Sequence, residues 1–65
     1  MTDATVYARM GDMHYEARRY ADAKLAYITA CKYKPSASTW LGVGKAALAL
    51  DEYEEAEDAF SVWKQ

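Results

Sequence analysis

Tyr7-Ala8-Arg9-Met10-Gly11 and Trp40-Leu41-Gly42-Val43-Gly44 stand 33 residues apart and share one pattern, an aromatic followed by a bulky aliphatic and a glycine. The match extends outward from these two stretches. Tyr20, Ala23 and Tyr27 recur at the same spacing as Tyr53, Ala56 and Phe60. A fixed period of this size is the signature of stacked repeat architectures, in which each repeat is one supersecondary unit that buries its apolar face against its neighbours. The period therefore decides the fold before any local reading, and it moves the question of function from a catalytic pocket to a surface.

Bulk properties agree with a packed helical protein. The chain has 65 residues, 52% hydrophobic and 28% charged, which is too apolar for a disordered tail. A domain this small buries a modest share of its unfolded surface and has little stability to spare. The net charge of −2 is unevenly spread: residues 1–35 carry +2 and residues 36–65 carry −4. The acid sits in Asp51, Glu52, Glu54, Glu55, Glu57 and Asp58, which reads as a solvated helix start or as one side of a head-to-tail attraction between copies. A single cysteine, Cys31, excludes an internal disulfide framework and fits a reducing compartment. No apolar run approaches membrane-spanning length, and no signal-peptide core opens the chain, so a soluble, cytoplasmic protein is expected. Scattered basic residues and a pI of about 5.2 give no reason to expect nucleic-acid binding.

Four helices follow from apolar spacing and stop signals. The first spans about Asp3 to Ala17, with Asp3 or Thr5 as N-cap and Val6, Tyr7, Met10, Met13 and His14 as its stripe. After a break at Arg18-Arg19, the second runs from about Ala21 to Tyr33 and is stopped by Pro35, which disfavours helical backbone in the residue before it. Ser36 or Ser38 caps the third, which continues to about Leu50 with Trp40, Val43, Ala47 and Leu50 in register. Asp51, with Glu54 three residues on, is the expected cap of the fourth. The connections are short, so consecutive helices pack as antiparallel hairpins.

Read as two units, the chain gives Tyr7, Met10-Gly11, His14, Tyr20, Ala23, Tyr27, Ala30 and Pro35, then Trp40, Val43-Gly44, Ala47, Tyr53, Ala56, Phe60 and Trp63. This resembles the tetratricopeptide repeat (TPR) family over essentially its whole length. The resemblance implies an all-α fold of two stacked hairpins forming a short α-solenoid, as a single domain with repeat one at about 4–36 and repeat two at about 37–65. Small residues (Gly11, Gly44, Ala23, Ala56) fall where helices approach, and large ones (Tyr7, Trp40, Tyr27, Phe60) where space is left to fill. A connection one residue shorter than the usual repeat accounts for 33. Departures are His14 and Ala47 in an aromatic slot, Trp63 in a small slot, and the lack of a third hairpin or capping helix. These suggest an excised or engineered fragment, or a unit completed by self-association. Ser38-Thr39-Trp40-Leu41-Gly42-Val43-Gly44, followed by Glu55-Ala56-Glu57-Asp58-Ala59, further resembles TPR arrays of cilia- and flagella-associated proteins, which implies a ciliary or axonemal setting.

No residue set argues for catalysis. His14 is the sole histidine and has no Cys or second His at metal spacing, and the Pro-Cys-x-x-Cys partner that a zinc deaminase would require is absent. Gly42-Val43-Gly44-Lys45 lacks the strand and spacing of a phosphate loop and reads as packing glycines. Cys31 reads as a small buried hydrophobe. No cofactor or metal is expected. By resemblance, a peptide-binding face falls on Thr5, Ala8, Asp12, Tyr15 and Glu16 of repeat one and on Ser38, Leu41, Lys45, Leu48 and Ala49 of repeat two. With Asp12 and Glu16 on that face and Lys45 its single basic residue, the basic carboxylate clamp of the family's chaperone-binding members is not reproduced. Phe60, Val62 and Trp63 on the last helix form the surface that a next repeat or a second copy would cover. The expected function is a non-catalytic protein–protein interaction or scaffold module, with a protein or peptide partner and a homo-oligomer. The alternative is a self-assembling structural oligomer, designed or domain-swapped, with no external ligand.

Overall fold

The computed structural model describes residues 3–64, with side chains up to residue 62. Among these residues the order is α1 (Asp3–Glu16), α2 (Tyr20–Tyr33), α3 (Ala37–Ala49) and α4 (Tyr53–Lys64), with no strand. α1 packs on α2, α2 on α3 and α3 on α4, with a smaller contact between α1 and α3. The result is two antiparallel helical hairpins laid side by side in a slab of 31 × 29 × 13 Å. α2 and α4 do not meet along their backbones, so a groove runs between them.

Close helix approach is achieved with small side chains. Ala23, Ala30, Ala46, Ala47, Ala56 and Ala59 are all but inaccessible to solvent, while among the described residues no large side chain is completely enclosed. Larger residues fill the gaps between backbones. The Tyr27 ring of α2 lies against both Gly11 of α1 and Gly42 of α3, and the Phe60 ring of α4 lies against Gly44 of α3. A Cβ built on Gly11 would sit 2.7 Å from Tyr27, and one on Gly42 only 2.5 Å from it. Those distances are inside van der Waals contact, so both positions need glycine. The outer rings Tyr7 and Tyr33 stack with centroids 5.7 Å apart, tying the start of α1 to the end of α2.

The two hairpin turns are built identically. At the first, Arg18 has φ 64°, its N–H donates to Tyr15 O, and the Arg19 N–H donates to His14 O. At the second, Asp51 has φ 61°, its N–H donates to Leu48 O, and the Glu52 N–H donates to Ala47 O. Both are Schellman closures, in which one left-handed residue reverses the chain and satisfies the last carbonyls of the helix. The expectation that Asp51 caps α4 is therefore corrected: Asp51 ends α3 instead. The first hydrogen bond of α4 runs from Ala56 N to Glu52 O, so Glu52 holds the N-cap place. Aspartate tolerates left-handed backbone better than most residues, which explains its use as a turn here. Its carboxylate accepts from the Tyr53 hydroxyl at 3.0 Å rather than from α4 backbone.

The reciprocal capping box occurs at α3 instead. Ser36 Oγ accepts from Thr39 N at 3.3 Å, and Thr39 Oγ1 accepts from Ser36 N at 3.0 Å. Of the two serines considered for this role, it is Ser36 that caps. At the start of α1, Asp3 is already helical and Thr5 lies within the first turn.

Replacing Asp51 by glycine removes the side-chain cost of left-handed backbone at the second turn. Asp51→Gly is expected to raise stability by about 1 kcal/mol. An unchanged or lowered melting temperature by circular dichroism would show that the Asp51–Tyr53 contact outweighs the backbone term.

Candidate functional site

α1 and α3 run side by side, and three of the expected face residues converge between them. Tyr27 passes from α2 between Gly11 and Gly42, and its hydroxyl donates to Asp12 Oδ1 on α1. Lys45 Nζ on α3 lies 4.7 Å from the Tyr15 ring centroid and 5.8 Å from that of Tyr27. Tyr15 is in turn braced edge-on by Tyr20, with centroids 5.1 Å apart. A lysine ammonium held over two aromatic faces is attracted by their quadrupoles and is restrained relative to a free surface lysine. Burial, and then the hydrogen bond to the Asp12 carboxylate, push the Tyr27 hydroxyl well above the ordinary tyrosine value, so it remains a donor at neutral pH.

Leu41 and Leu48 flank Lys45 on α3 and are both exposed. Spaced seven residues apart, they sit on one side of the helix two turns from each other, with Lys45 at an intervening position on that side. Glu16, one turn beyond Asp12, is exposed, as is Ala49. Thr5, Ala8 and Ser38 line a hollow of about 340 Å³ at the other end of the same face, together with Arg9 and Lys34. The face thus offers two exposed leucines, a cation fixed over two rings and acceptors at Asp12 and Glu16. It can grip an extended segment by apolar side chains and polar backbone contacts.

The residues expected at the association surface fall differently. Phe60 is half-buried over Gly44, and Val62 is exposed at the edge of the α2–α4 groove. The Trp63 side chain lies outside the described residues. His14 lines a shallow hollow with Met10 and Met13. Among the described residues no group of three or more His, Cys, Asp or Glu is placed to hold a metal ion. Cys31 is buried, and burial pushes its thiol up against an opposing hydrogen bond from Thr39, so it is a protonated thiol at neutral pH.

Sequence reasoning did not single out Lys24. Its ammonium bonds Glu52 at 2.5 Å and Glu55 at 2.6 Å, bridging α2 to the start of α4. Both partners belong to the acidic run of residues 51–58, so part of the attraction read as head-to-tail acts within one chain. The uneven charge of the two halves was the available signal, but separations of 28 and 31 residues follow no helical rule.

No family model matches the chain, and no solved structure matches it. Among curated proteins it is similar to cilia- and flagella-associated protein 70 of Macaca fascicularis, 46% identical over 56 residues, covering 86% of this chain and 6% of that protein. The human protein of the same name gives the same identity over the same length, with 5% of it covered. The chain thus spans a small fraction of the relatives it matches. Among the described residues no helix is long and apolar enough to cross a membrane.

The Lys24 bridge carries a pH signature. The bonds to Glu52 and Glu55 raise the Lys24 pKa above its ordinary 10.5, and Lys24 lowers that of Glu55 below 4.5. A raised lysine stabilises fully below 10.5 and loses that contribution as pH rises through its folded value. A lowered glutamate stabilises above 4.5 and loses its contribution as pH falls through its folded value. The melting-temperature deficit of Lys24→Met is therefore expected to be greatest near neutral pH and to shrink in acid and in high salt. A deficit independent of both would assign Lys24 a packing role through its methylene stem.

Proposed function

We propose that this chain is a non-catalytic, TPR-type interaction module that holds an extended segment of a partner protein on the α1–α3 face. Its units are repeat one, about 4–36, and repeat two, about 37–65, within a single domain. The observation that carries this reading is the row Leu41, Lys45 and Leu48, exposed along one side of α3, with Lys45 held over Tyr15 and Tyr27 beside Asp12. Exposed apolar side chains grouped around fixed polar groups are what a docking surface needs, and scattered single leucines are not. The similarity to cilia- and flagella-associated protein 70 supports a scaffold role in a ciliary or axonemal setting.

A second reading concerns the outer side of α1. Val6, Met10 and Met13 are 38%, 40% and 71% exposed. Their counterparts 33 residues on, Thr39, Val43 and Ala46, are 5%, 6% and 0% exposed in a helix that α2 covers. The same face is covered in the second unit and open in the first. This supports a further helix over α1, supplied either by a longer repeat array or by another copy of the chain.

The peptide reading is tested with a phage-displayed library of random peptides selected on the intact chain. Selected peptides are expected to lose at least about tenfold in affinity against Lys45→Glu or Leu48→Glu, both at exposed positions that leave folding intact. They should bind Leu25→Glu, altered in the α2–α4 groove, as well as the parent. Equal binding to all three variants would contradict the assignment of the face.

A further inference from the structure

The groove between α2 and α4 is an apolar concavity of about 700 Å³, and the α1–α3 face does not use it. Leu25 and Ile28 of α2, Trp40 and Val43 of α3 and Val62 of α4 line it, and Leu25 and Val62 are conspicuously exposed. Its two walls differ in charge. Lys32 stands on the α2 side, while Glu55 and Asp58 stand on the α4 side. The Lys24 bridge to Glu52 and Glu55 spans the groove near the starts of both helices and closes that end.

We propose that this groove receives the outer stripe of α1 from a second copy of the chain. The proposal rests on the self-association reading above and names the surface that satisfies it. Three features of the chain fit together. Val6, Met10 and Met13 form an exposed apolar stripe with spacings of four and three residues, which is the shape a groove between two helices accepts. At 100° per residue, Arg9 flanks one edge of that stripe and Asp3 the other. These charges are opposite to those of the two groove walls, with Arg9 suited to Asp58, since Glu55 already bonds Lys24, and Asp3 to Lys32.

The axial spacing agrees as well. The Lys24–Glu55 bond sets residue 24 of α2 level with residue 55 of α4. Lys32 is then about 12 Å further along, and Asp58 about 4.5 Å. An α1 entering antiparallel to α2, with Asp3 level with Lys32, carries Arg9 about 9 Å back, between the levels of Asp58 and Glu55, seats Val6 and Met10 within the groove and leaves Met13 over the Lys24 bridge at its closed end. Because the stripe and the groove are different surfaces of one molecule, the contact is heterologous. Each bound copy still offers a free groove or a free stripe, and assembly continues with concentration.

This asymmetry defines the test. Val6→Glu removes the stripe and leaves the groove; Leu25→Glu removes the groove and leaves the stripe. Both positions are exposed, so neither change threatens the fold. Absolute mass by sedimentation equilibrium, from about 1 µM to 1 mM, is expected to rise with concentration for the parent and to stay at 7.3 kDa for each variant alone. An equimolar mixture of the two variants is expected to form a 1:1 dimer and nothing larger. Adding Arg9→Glu to the stripe donor should weaken that dimer at least about tenfold, and Asp58→Arg in the groove donor should restore it. A parent that stays monomeric at every concentration overturns both the groove and the self-association reading. A parent that associates while the mixture stays monomeric, or a Leu25→Glu variant that associates like the parent, overturns the groove alone and leaves the end of α4 as the contact. Peptide capture on the α1–α3 face is read separately, with Lys45→Glu and Leu48→Glu, and does not depend on whether the parent associates.

Discussion

The Tyr27 ring occupies the space that Gly11 and Gly42 leave open, and the placement of α1 against α3 follows from it. α2 touches both of those helices, so one side chain of α2 reports to the two hairpins at once. The ring excludes water from the junction, its hydroxyl is tied to Asp12, and its face supports Lys45. Packing between the hairpins and the geometry of the candidate binding face therefore share a single residue. A change that moves the ring alters both.

Around this junction the fold is economical. Alanines set the distance between helices, two Schellman turns with left-handed Arg18 and Asp51 set their reversal, and the Ser36–Thr39 box starts the second hairpin. A core made mostly of alanine buries little area per residue, so stability is small for a chain of this length. Among the described residues, apolar surface remains along the Leu41–Leu48 row, the Val6–Met13 stripe and the α2–α4 groove. Each is an opportunity for association, and the functional proposals divide these surfaces between a partner segment and another helix.

The helices and their pairing were legible because the 33-residue period places glycine, alanine and aromatic residues at corresponding offsets, and those residues pack as their sizes dictate. The turn at Asp51 was misread because aspartate serves both as an N-cap and as a left-handed turn residue, and spacing alone does not separate the two roles. Comparison with Arg18, its counterpart 33 residues earlier, held the answer, since arginine is no cap. Of the candidate face, Asp12, Tyr15 and Lys45 are brought together and Leu41 and Leu48 are left exposed. The part played by Tyr27 was hidden, because a large residue in a core slot gives no sign that its hydroxyl emerges on the other side. Lys24 was hidden because its partners are far away in the chain and bind it through side chains across a gap between helices.

The most direct measurement is the stability of Gly42→Ala, in the parent and in a Tyr27→Leu background. Helix propensity alone favours alanine over an interior glycine by about 1 kcal/mol, so it predicts a gain. The Tyr27 wedge predicts a loss of about 1–3 kcal/mol in the parent, since the new methyl meets the base of the ring, and a neutral or favourable effect once the ring is gone. A higher melting temperature for Gly42→Ala in the parent would contradict the wedge and, with it, the account of how the two hairpins are held together.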